Sequence, residues 1–316
     1  MKLSDIGEFA LIDLISRREK KLPSTIIGIG DDCAVLRPKT YDLGHKTKYL
    51  LVTTDTFVEN VHFIVKTPGD FYYLGRKAMA ANISDIVAMG GVPTHALVTI
   101  GLPKKTSVKA VQELYRGMDS LAKKCRIDIV GGDTVASPRA VLVSITLLGE
   151  AEKPILRSTA RVGDLICVTG RFGGAARDNF KLQTFMASGV EPSNVKIKLK
   201  ESGKLAKAKL ATSMIDSSDG LVRSVLEIAK ASKVGAEIFE DLVPRAKGAT
   251  LDQALYGGEE YELVFTIRAN NSSKLKQLKL EATVVGTIVA QKQGVRLVDA
   301  YGKIKPLKSG GYEHYK

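Results

Sequence analysis

Apolar residues recur at Leu3, Ile6, Phe9, Ile12 and Ile15, the spacing of one helical face, while Asp5, Glu8 and Asp13 fall between them. This predicts an amphipathic first helix. The acids interrupt the apolar run too often for a secretory signal. Strand-like runs then appear at 48–53, 94–101, 127–130 and 140–149, alternating with helical patterns over 71–89 and 106–125. The mixture recurs further on. "DLICVTG" predicts a strand over 164–169, helices are expected around 172–188 and 219–232, and strands return at 261–267, 282–289 and 295–299. Strands interleaved with helices in two halves predict an α/β (α+β) chain. The boundary falls near 150–160, in "EAEKPILRSTARVGD", giving domains of 1–150 and 151–316.

At 316 residues the chain has room for two cores of ordinary size. No apolar run is long enough to span a bilayer, so a cytoplasmic protein without a membrane partner is expected. Cys33, Cys125 and Cys167 are scattered and lack CxxC spacing, which predicts buried reduced thiols and no disulfide framework or structural zinc. Lys and Arg number 47 against 34 Asp and Glu, a formal charge of +13. Such an excess suits nucleic acid, phosphorylated small substrates or a lysine-rich surface with no single target. Basic residues are densest over 196–209, where they alternate with apolar ones as on the solvated face of a helix or strand. Trp is absent and no aromatic residues interleave a basic patch, so a nucleic-acid partner is not expected.

Against this basic background, five stretches concentrate acids. "LLVTTDTF" runs an apolar strand into Thr53, Thr54, Asp55 and Thr56, and "GIGDDCAVL" places Asp31 and Asp32 after Gly28 and Gly30. "NISDIVAMGG" sets Asn82 and Asp85 on one helical face, and "IVGGDTVAS" leads through Gly131 and Gly132 to Asp133. "MIDSSDGLVRS" brackets two serines with Asp216 and Asp219. Each stretch has a plain local explanation, such as a turn cap, a helix N-cap at Asp219 or a solvated Asp85. The set as a whole does not. Asp32, Asp55, Asp133 and Asp216 follow apolar or glycine-flanked runs, which places them at strand ends or turns, where sites are built. Gathered carboxylates repel one another, and burial raises the cost. Only Arg223 lies within these motifs, so divalent cations are the natural compensation. Oxygen donors without nearby His or Cys select Mg2+, whose remaining positions usually go to phosphate oxygens and water. The glycines let backbone N–H groups approach phosphates closely. Neither GxxxxGK[ST] nor an HRD…DFG set is present, which excludes P-loop proteins and protein-kinase relatives.

Six motifs in order, "GIGDDCAVL", "TTDTFVENVHF", "NISDIVAMGG", "GGDT", "DSSDGL" and "GGEEYELVFT", closely resemble those of the thiamine-monophosphate kinases, a family of the aminoimidazole-ribonucleotide-synthetase-like superfamily. The resemblance runs from "GEFALI" at residue 7 to the C-terminal "GGYEHYK". It implies a two-domain fold whose N-terminal mixed sheet pairs across a homodimer, with the site in the cleft between domains. It also implies the reaction ATP + thiamine monophosphate → ADP + thiamine diphosphate, with several Mg2+ ions. By motif, Asp32, Thr54, Asp55, Asp85, Asp133, Asp216 and Asp219 match metal-binding positions, and five of them (Asp32, Asp55, Asp133, Asp216 and Asp219) are the expected catalytic set. Thr53, Gly132, Asp133, Arg157 and Ser218 match positions that contact ATP, and His62 and Glu259 match positions that contact the thiamine phosphate. An already ionised phosphate acceptor needs no general base, which agrees with a site rich in Asp and poor in candidate bases.

The chain departs from the family in three places. Glu260 stands where Asp is usual, the Arg-Pro-rich stretch of the C-terminal domain is not evident, and Ser309 occupies the position of a tail aromatic. Ser309 is thus the matching substrate-binding position, and Tyr312 or Tyr315 is the alternative source of an aromatic contact to the thiamine ring. Rival readings are another ATP-dependent synthetase of the superfamily, of selenophosphate or aminoimidazole-ribonucleotide type, a pyrophosphokinase acting on free thiamine, and a basic nucleic-acid-binding protein. The segments "VENVHF" and "GGEEYEL" separate the first of these from the kinase.

Overall fold

A computed structural model of the chain, describing residues 2–17, 21–37, 48–182, 197–305, 307 and 313–315, places the alternating pattern in two mixed sheets. The first contains β1 (Thr25–Ile27), β2 (Ala34–Leu36), β3 (Tyr49–Val58), β4 (Val92–Leu102), β5 (Asp128–Ala136) and β6 (Leu142–Ala151), in the order β1-β2-β3-β6-β4-β5. Its β4–β5 pair is parallel and its other pairs antiparallel. Along β6 every second residue is buried, so Val143, Ile145 and Leu147 face the core while Ser144 and Thr146 face away. The core face is covered by α2 (Asp70–Ala88) and α3 (Val108–Cys125); α1 (Leu3–Ser16) precedes the sheet in the chain. The two covering helices touch backbone to backbone. A Cβ on Gly75 would lie 2.0 Å from Leu114 O, and one on Gly117 would lie 2.0 Å from Tyr72 O. Ser107 caps α3 by accepting the Ala110 N–H, and Arg126 ends it in the left-handed region.

The second sheet contains β7 (Asp164–Thr169), β8 (Ala211–Asp216), β9 (Gly235–Phe239), β10 (Leu263–Arg268), β11 (Ala282–Val289), β12 (Val295–Val298) and β13 (Ile304–Lys305), ordered β13-β12-β9-β11-β7-β10-β8. Around it lie α4 (Gly174–Arg177), α5 (Leu199–Lys207), α6 (Leu221–Ser232), α7 (Leu251–Tyr256) and α8 (Ser272–Gln277). Its inner strand β10 is buried through Leu263, Val264, Phe265 and Ile267. Cys33, Cys125 and Cys167 are free and buried. Among the described residues no helix is long and apolar enough to cross a membrane.

Several expectations need correcting. β3 does not stop at Thr53; it continues to Val58 because its ladder with β6 runs from Tyr49↔Ala151 to Val58↔Leu142. Asp55 therefore lies within a strand, as does Asp133 in β5, while Asp216 ends β8 and Asp32 occupies the turn before β2. The helix expected over 172–188 is the single turn α4 as far as the described residues reach, and 183–196 lie outside them. The basic run, expected as the solvated face of a helix or strand, forms the helix α5, but Lys198 before it is buried against Glu262, with Nζ and Oε2 2.5 Å apart. The amphipathic α1 is present with a break at Gly7 (φ 75°), and Leu3, Ile12, Leu14 and Ile15 remain exposed.

Candidate active site

Strand alternation turns Thr53 and Asp55 of β3 toward α2, which supplies Asn82, Ser84 and Asp85 from its C-terminal half. Hydrogen bonds lock these groups together across the two domains. Thr53 Oγ1 donates to Asp85 Oδ2 at 2.6 Å, the Asp55 N–H donates to Asn82 Oδ1 at 3.2 Å, and Ser84 Oγ donates to Asp216 Oδ2 at 2.7 Å. Carboxylate oxygens of Asp32, Asp85 and Asp216 lie within 4.8 Å of one another. Arg157 Nη2 donates to Asp32 Oδ1 at 2.5 Å, and its backbone N–H donates to Asp31 Oδ2 at 3.2 Å. Asp32 Oδ2 is buried with no partner among the described residues.

So many carboxylates in a buried site cannot all ionise cheaply. Burial, reinforced by neighbouring aspartates, pushes Asp85 well above its ordinary range and Asp216 up to about 8. Burial raises Asp55 to about 6, and burial with the repulsion of Asp32 raises Asp31 to about 7. Asp219 reaches about 6 through burial and the charge of Glu8. Asp32 is raised by burial although Arg157 opposes the shift. Clustered oxygen donors, one of them unpartnered, fit a hard divalent cation such as Mg2+.

Asp219 and Ser218 belong to the loop between β8 and α6, and a second loop holds that backbone in place. The Glu259 N–H donates to Ser218 O at 2.7 Å and the Tyr261 N–H to Ser217 O at 3.0 Å. Both donors have positive φ, 64° and 51°, conformations that non-glycine residues adopt only when their surroundings hold them. Gly258 permits the contact, since a Cβ there would lie 2.2 Å from Ser218 O. Beside this loop and the acid cluster opens a cavity of about 510 Å³, reaching from Asp216 and Asp219 past Thr53 and Arg157 to Gly28, Gly30 and Phe9. A cavity of this size accommodates a nucleotide-sized ligand.

On the other side of the cluster, His62 is half-buried. Its Nδ1 accepts the Val58 N–H at 3.0 Å, and its Nε2 lies 3.3 Å from His314 Nε2. Burial, His314 and Lys77 hold its pKa below the ordinary value, so a neutral ring carries its proton on Nε2. Lys77, on α2, is fully buried; its Nζ donates to His62 O at 3.0 Å and forms an ion pair with Glu259 Oε1. The C-terminal tail thus reaches the same place, and the His314 N–H also bonds Glu8 Oε2 at 3.0 Å.

Residues 30–151 match the model of the AIR synthase related protein N-terminal domain, and residues 161–299 match that of its C-terminal domain. Thiamine-monophosphate kinase of Bacillus subtilis (strain 168) is 33% identical across 98% of this chain and 100% of its own. That of Buchnera aphidicola subsp. Schizaphis graminum (strain Sg) is 34% identical across 98% and 99%. The chain belongs to the thiamine-monophosphate kinase family. A solved structure of AaThiL complexed with AMPPCP and TMP has a TM-score of 0.81 to this fold at 30% identity, covering 99% of each chain. The chain is thus an enzyme of the kinase class with the two-domain fold that its resemblance to the family implied.

Of the positions matched to this kinase family by motif, the structure brings together Asp32, Thr53, Asp55, Asp85, Arg157, Asp216, Ser218 and Asp219. His62 and Glu259 meet through Lys77. Thr54 borders the cavity, but its hydroxyl donates to Ile145 O and accepts from Thr146 Oγ1, on the face of β3 opposite Thr53. Gly132 and Asp133 stand apart. They lie on exposed β5, at the far edge of the sheet, where Asp133 is aligned with Thr99, Ser144 and Thr56 in turn. Three strand spacings, roughly 14 Å, separate them from β3. Ser309 and Tyr312 fall outside the described residues, and Tyr315 is exposed with its ring 6.1 Å from that of His314. Arg157 compensates Asp31 and Asp32 within this structure, a role that motif reading had given to metals alone. Lys77 escaped sequence reading, although a lysine among Leu74, Ala78 and Ala81 on a helix was a signal that could have found it.

Proposed function

We propose that this chain transfers the terminal phosphoryl group of ATP directly and in line to thiamine monophosphate, giving ADP and thiamine diphosphate. The convergence of Asp32, Asp85 and Asp216 at one end of a nucleotide-sized cavity carries the reading. The AaThiL complex with AMPPCP and TMP supports the choice of both substrates. Asp32, Asp85 and Asp216, with Asp55 and Asp219 beside them, would hold Mg2+. When bound, the cation supplies charge compensation for the polyphosphate. Arg157 holds Asp32 and Asp31 in place and lines the cavity, from where its guanidinium would also contact phosphate oxygens. Ser218 and the glycines at 28 and 30 border the triphosphate path, and His62 and Glu259 orient the acceptor. No side chain needs to remove a proton, because the attacking phosphate oxygen is already ionised. Residues 1–150 would bind metal and nucleotide and form the dimer contact; 151–316 would complete the site.

Asp133 and Gly132 enter this scheme from a second copy. Among the described residues β5 is an unpaired edge with exposed Val130 and Val135, and the half of β3 beyond Val52 has no partner on its β2 side. Pairing β5 of one copy beside that half of β3 in the other would close both edges and carry Asp133 to the partner's acid cluster. The test is a product assay with Mg-ATP and thiamine monophosphate. Equal amounts of ADP and thiamine diphosphate are expected, abolished by EDTA and by Asp85→Asn. AMP formation, or ATP turnover without a thiamine product, refutes the reading.

A further inference from the structure

Lys77 is the most deeply buried cation among the described residues, and nothing in the phosphoryl-transfer scheme uses it. Its Nζ donates to the carbonyl of His62, from the segment after β3, and pairs with Glu259, from the C-terminal domain. The same ammonium lies 5.8 Å from the centre of the Phe57 ring, which packs edge-on against the His62 ring at 5.7 Å. Buried ion pairs are poor stabilisers, since apolar residues of equal volume usually serve stability as well or better. The pair is therefore better explained by what it aligns. Glu259 sits at a positive φ with its N–H committed to Ser218 O, so backbone geometry fixes the start of its side chain and Lys77 fixes the end. With Oε1 held, Oε2 is left buried without a partner among the described residues, an acceptor awaiting an N–H donor.

We propose that Lys77 is a positioning residue for the acceptor substrate: it ties Glu259 and His62, which come from different domains, into one acceptor-binding pair. This rests on the acceptor reading given above. Removing the ammonium should therefore loosen acceptor binding while sparing the nucleotide side.

The variant Lys77→Met keeps the apolar stem and removes the charge. Steady-state kinetics should show KM for thiamine monophosphate raised at least about tenfold, with KM for ATP and kcat within about threefold of wild type. In a Glu259→Gln background the same substitution should raise the acceptor KM by less than about twofold, because the group that Lys77 aligns is already altered. An equal penalty in both backgrounds, or a parallel rise in KM for ATP, overturns the proposal. Where Lys77→Met does not fold, Lys77→Gln, which keeps an N–H donor without charge, takes its place. Hydrogen exchange on the substrate-free protein supplies a readout independent of turnover. Segments 58–63 and 257–262 should exchange faster in the variant while α3 is unchanged; unchanged exchange in those two segments overturns the proposal. Wild-type protein that does not phosphorylate thiamine monophosphate refutes the proposed function instead, and the exchange result then decides the role of Lys77.

Discussion

Asp216→Asn should make the metal-free protein more stable while removing its response to Mg2+. Asp216 is buried at the end of β8, and its carboxyl is pushed up from 3.8 to about 8, mainly by burial and then by Asp32. A carboxyl with a raised folded pKa binds more protons in the folded than in the unfolded state between those two values. Its contribution to stability therefore falls as pH rises through that window, and stays low above it. Near neutrality, folding must take up a proton about three pH units above the unfolded pKa, at roughly 1.4 kcal/mol per unit. The cost is thus roughly 4 kcal/mol, an upper bound because side-chain relaxation and water entry relieve it. Asparagine has the same shape, carries no such cost, and keeps an oxygen for the Ser84 hydroxyl. At roughly 2–4 °C per kcal/mol, that bound allows the melting temperature in EDTA to rise by up to about 16 °C near neutral pH, with the difference vanishing near pH ~4. Calorimetry across this range, with and without millimolar Mg2+, checks both parts. Mg2+ should stabilise the wild type and leave the variant almost unchanged. A variant less stable than wild type in EDTA at alkaline pH, or one that keeps the full Mg2+ increment, refutes the reasoning.

Arg157→Met leaves the Asp32 carboxylate buried without its ion-pair partner and should cost roughly 3–5 kcal/mol in urea denaturation. Adding Asp32→Asn should recover most of that loss without recovering activity. Gly75→Ala forces a Cβ to within 2.0 Å of Leu114 O and should destabilise the α2–α3 contact by roughly 3 kcal/mol, measured by the same denaturation. If Asp133 acts in the partner's site, Asp133→Asn and Asp216→Asn are each inactive alone. Subunits of the two variants, unfolded and refolded together, should then regain about a quarter of wild-type turnover, and no recovery places Asp133 outside the partner's site.

What the sequence revealed and what it hid divide along the range of the interactions. The helix α3 and the strand β6 are legible because amphipathic period is a local property and each spends its apolar positions on one face. Helix α2 shows instead as a long apolar run, because it is buried on nearly every side. The acid stretches are legible because carboxylates at apolar run ends are costly and local. The run of β3 through Thr54, Asp55 and Thr56 was not legible, because Asp is depleted in strands and only pairing with β6 overrides that preference. The distance of Asp133 from Asp55 depends on strand order, with β6 and β4 inserted between them, and no window of sequence encodes that order. The pairings of Arg157 with Asp32 and of Lys77 with Glu259 join residues 125 and 182 positions apart. Single charges of this kind show in a sequence only as isolated anomalies in apolar surroundings.

A single helix sets the spacing of the whole site. Lys77 meets the acceptor-side residues, Asn82 fixes the backbone of Asp55, Ser84 fixes Asp216 and Asp85 meets Thr53. At 1.5 Å per residue, Lys77 and Asp85 are about 12 Å apart along the axis of α2. On the proposed function, one end of that span holds the acceptor's organic part and the other holds the metal-bound phosphates. α2 is buried along most of its length, and glycine contacts press it against α3 and β6, so the span is rigid. A substrate whose phosphate lies nearer its recognised ring would reach Glu259 without reaching the acid cluster. Selection by length follows from the geometry of α2 and needs no further residue. Thiamine itself, lacking the phosphate, should therefore compete for the acceptor pocket without being phosphorylated. Competitive inhibition against thiamine monophosphate, with no thiamine monophosphate formed from it, is the expected kinetic result, and phosphorylation of free thiamine would show that α2 does not set the reach of the site.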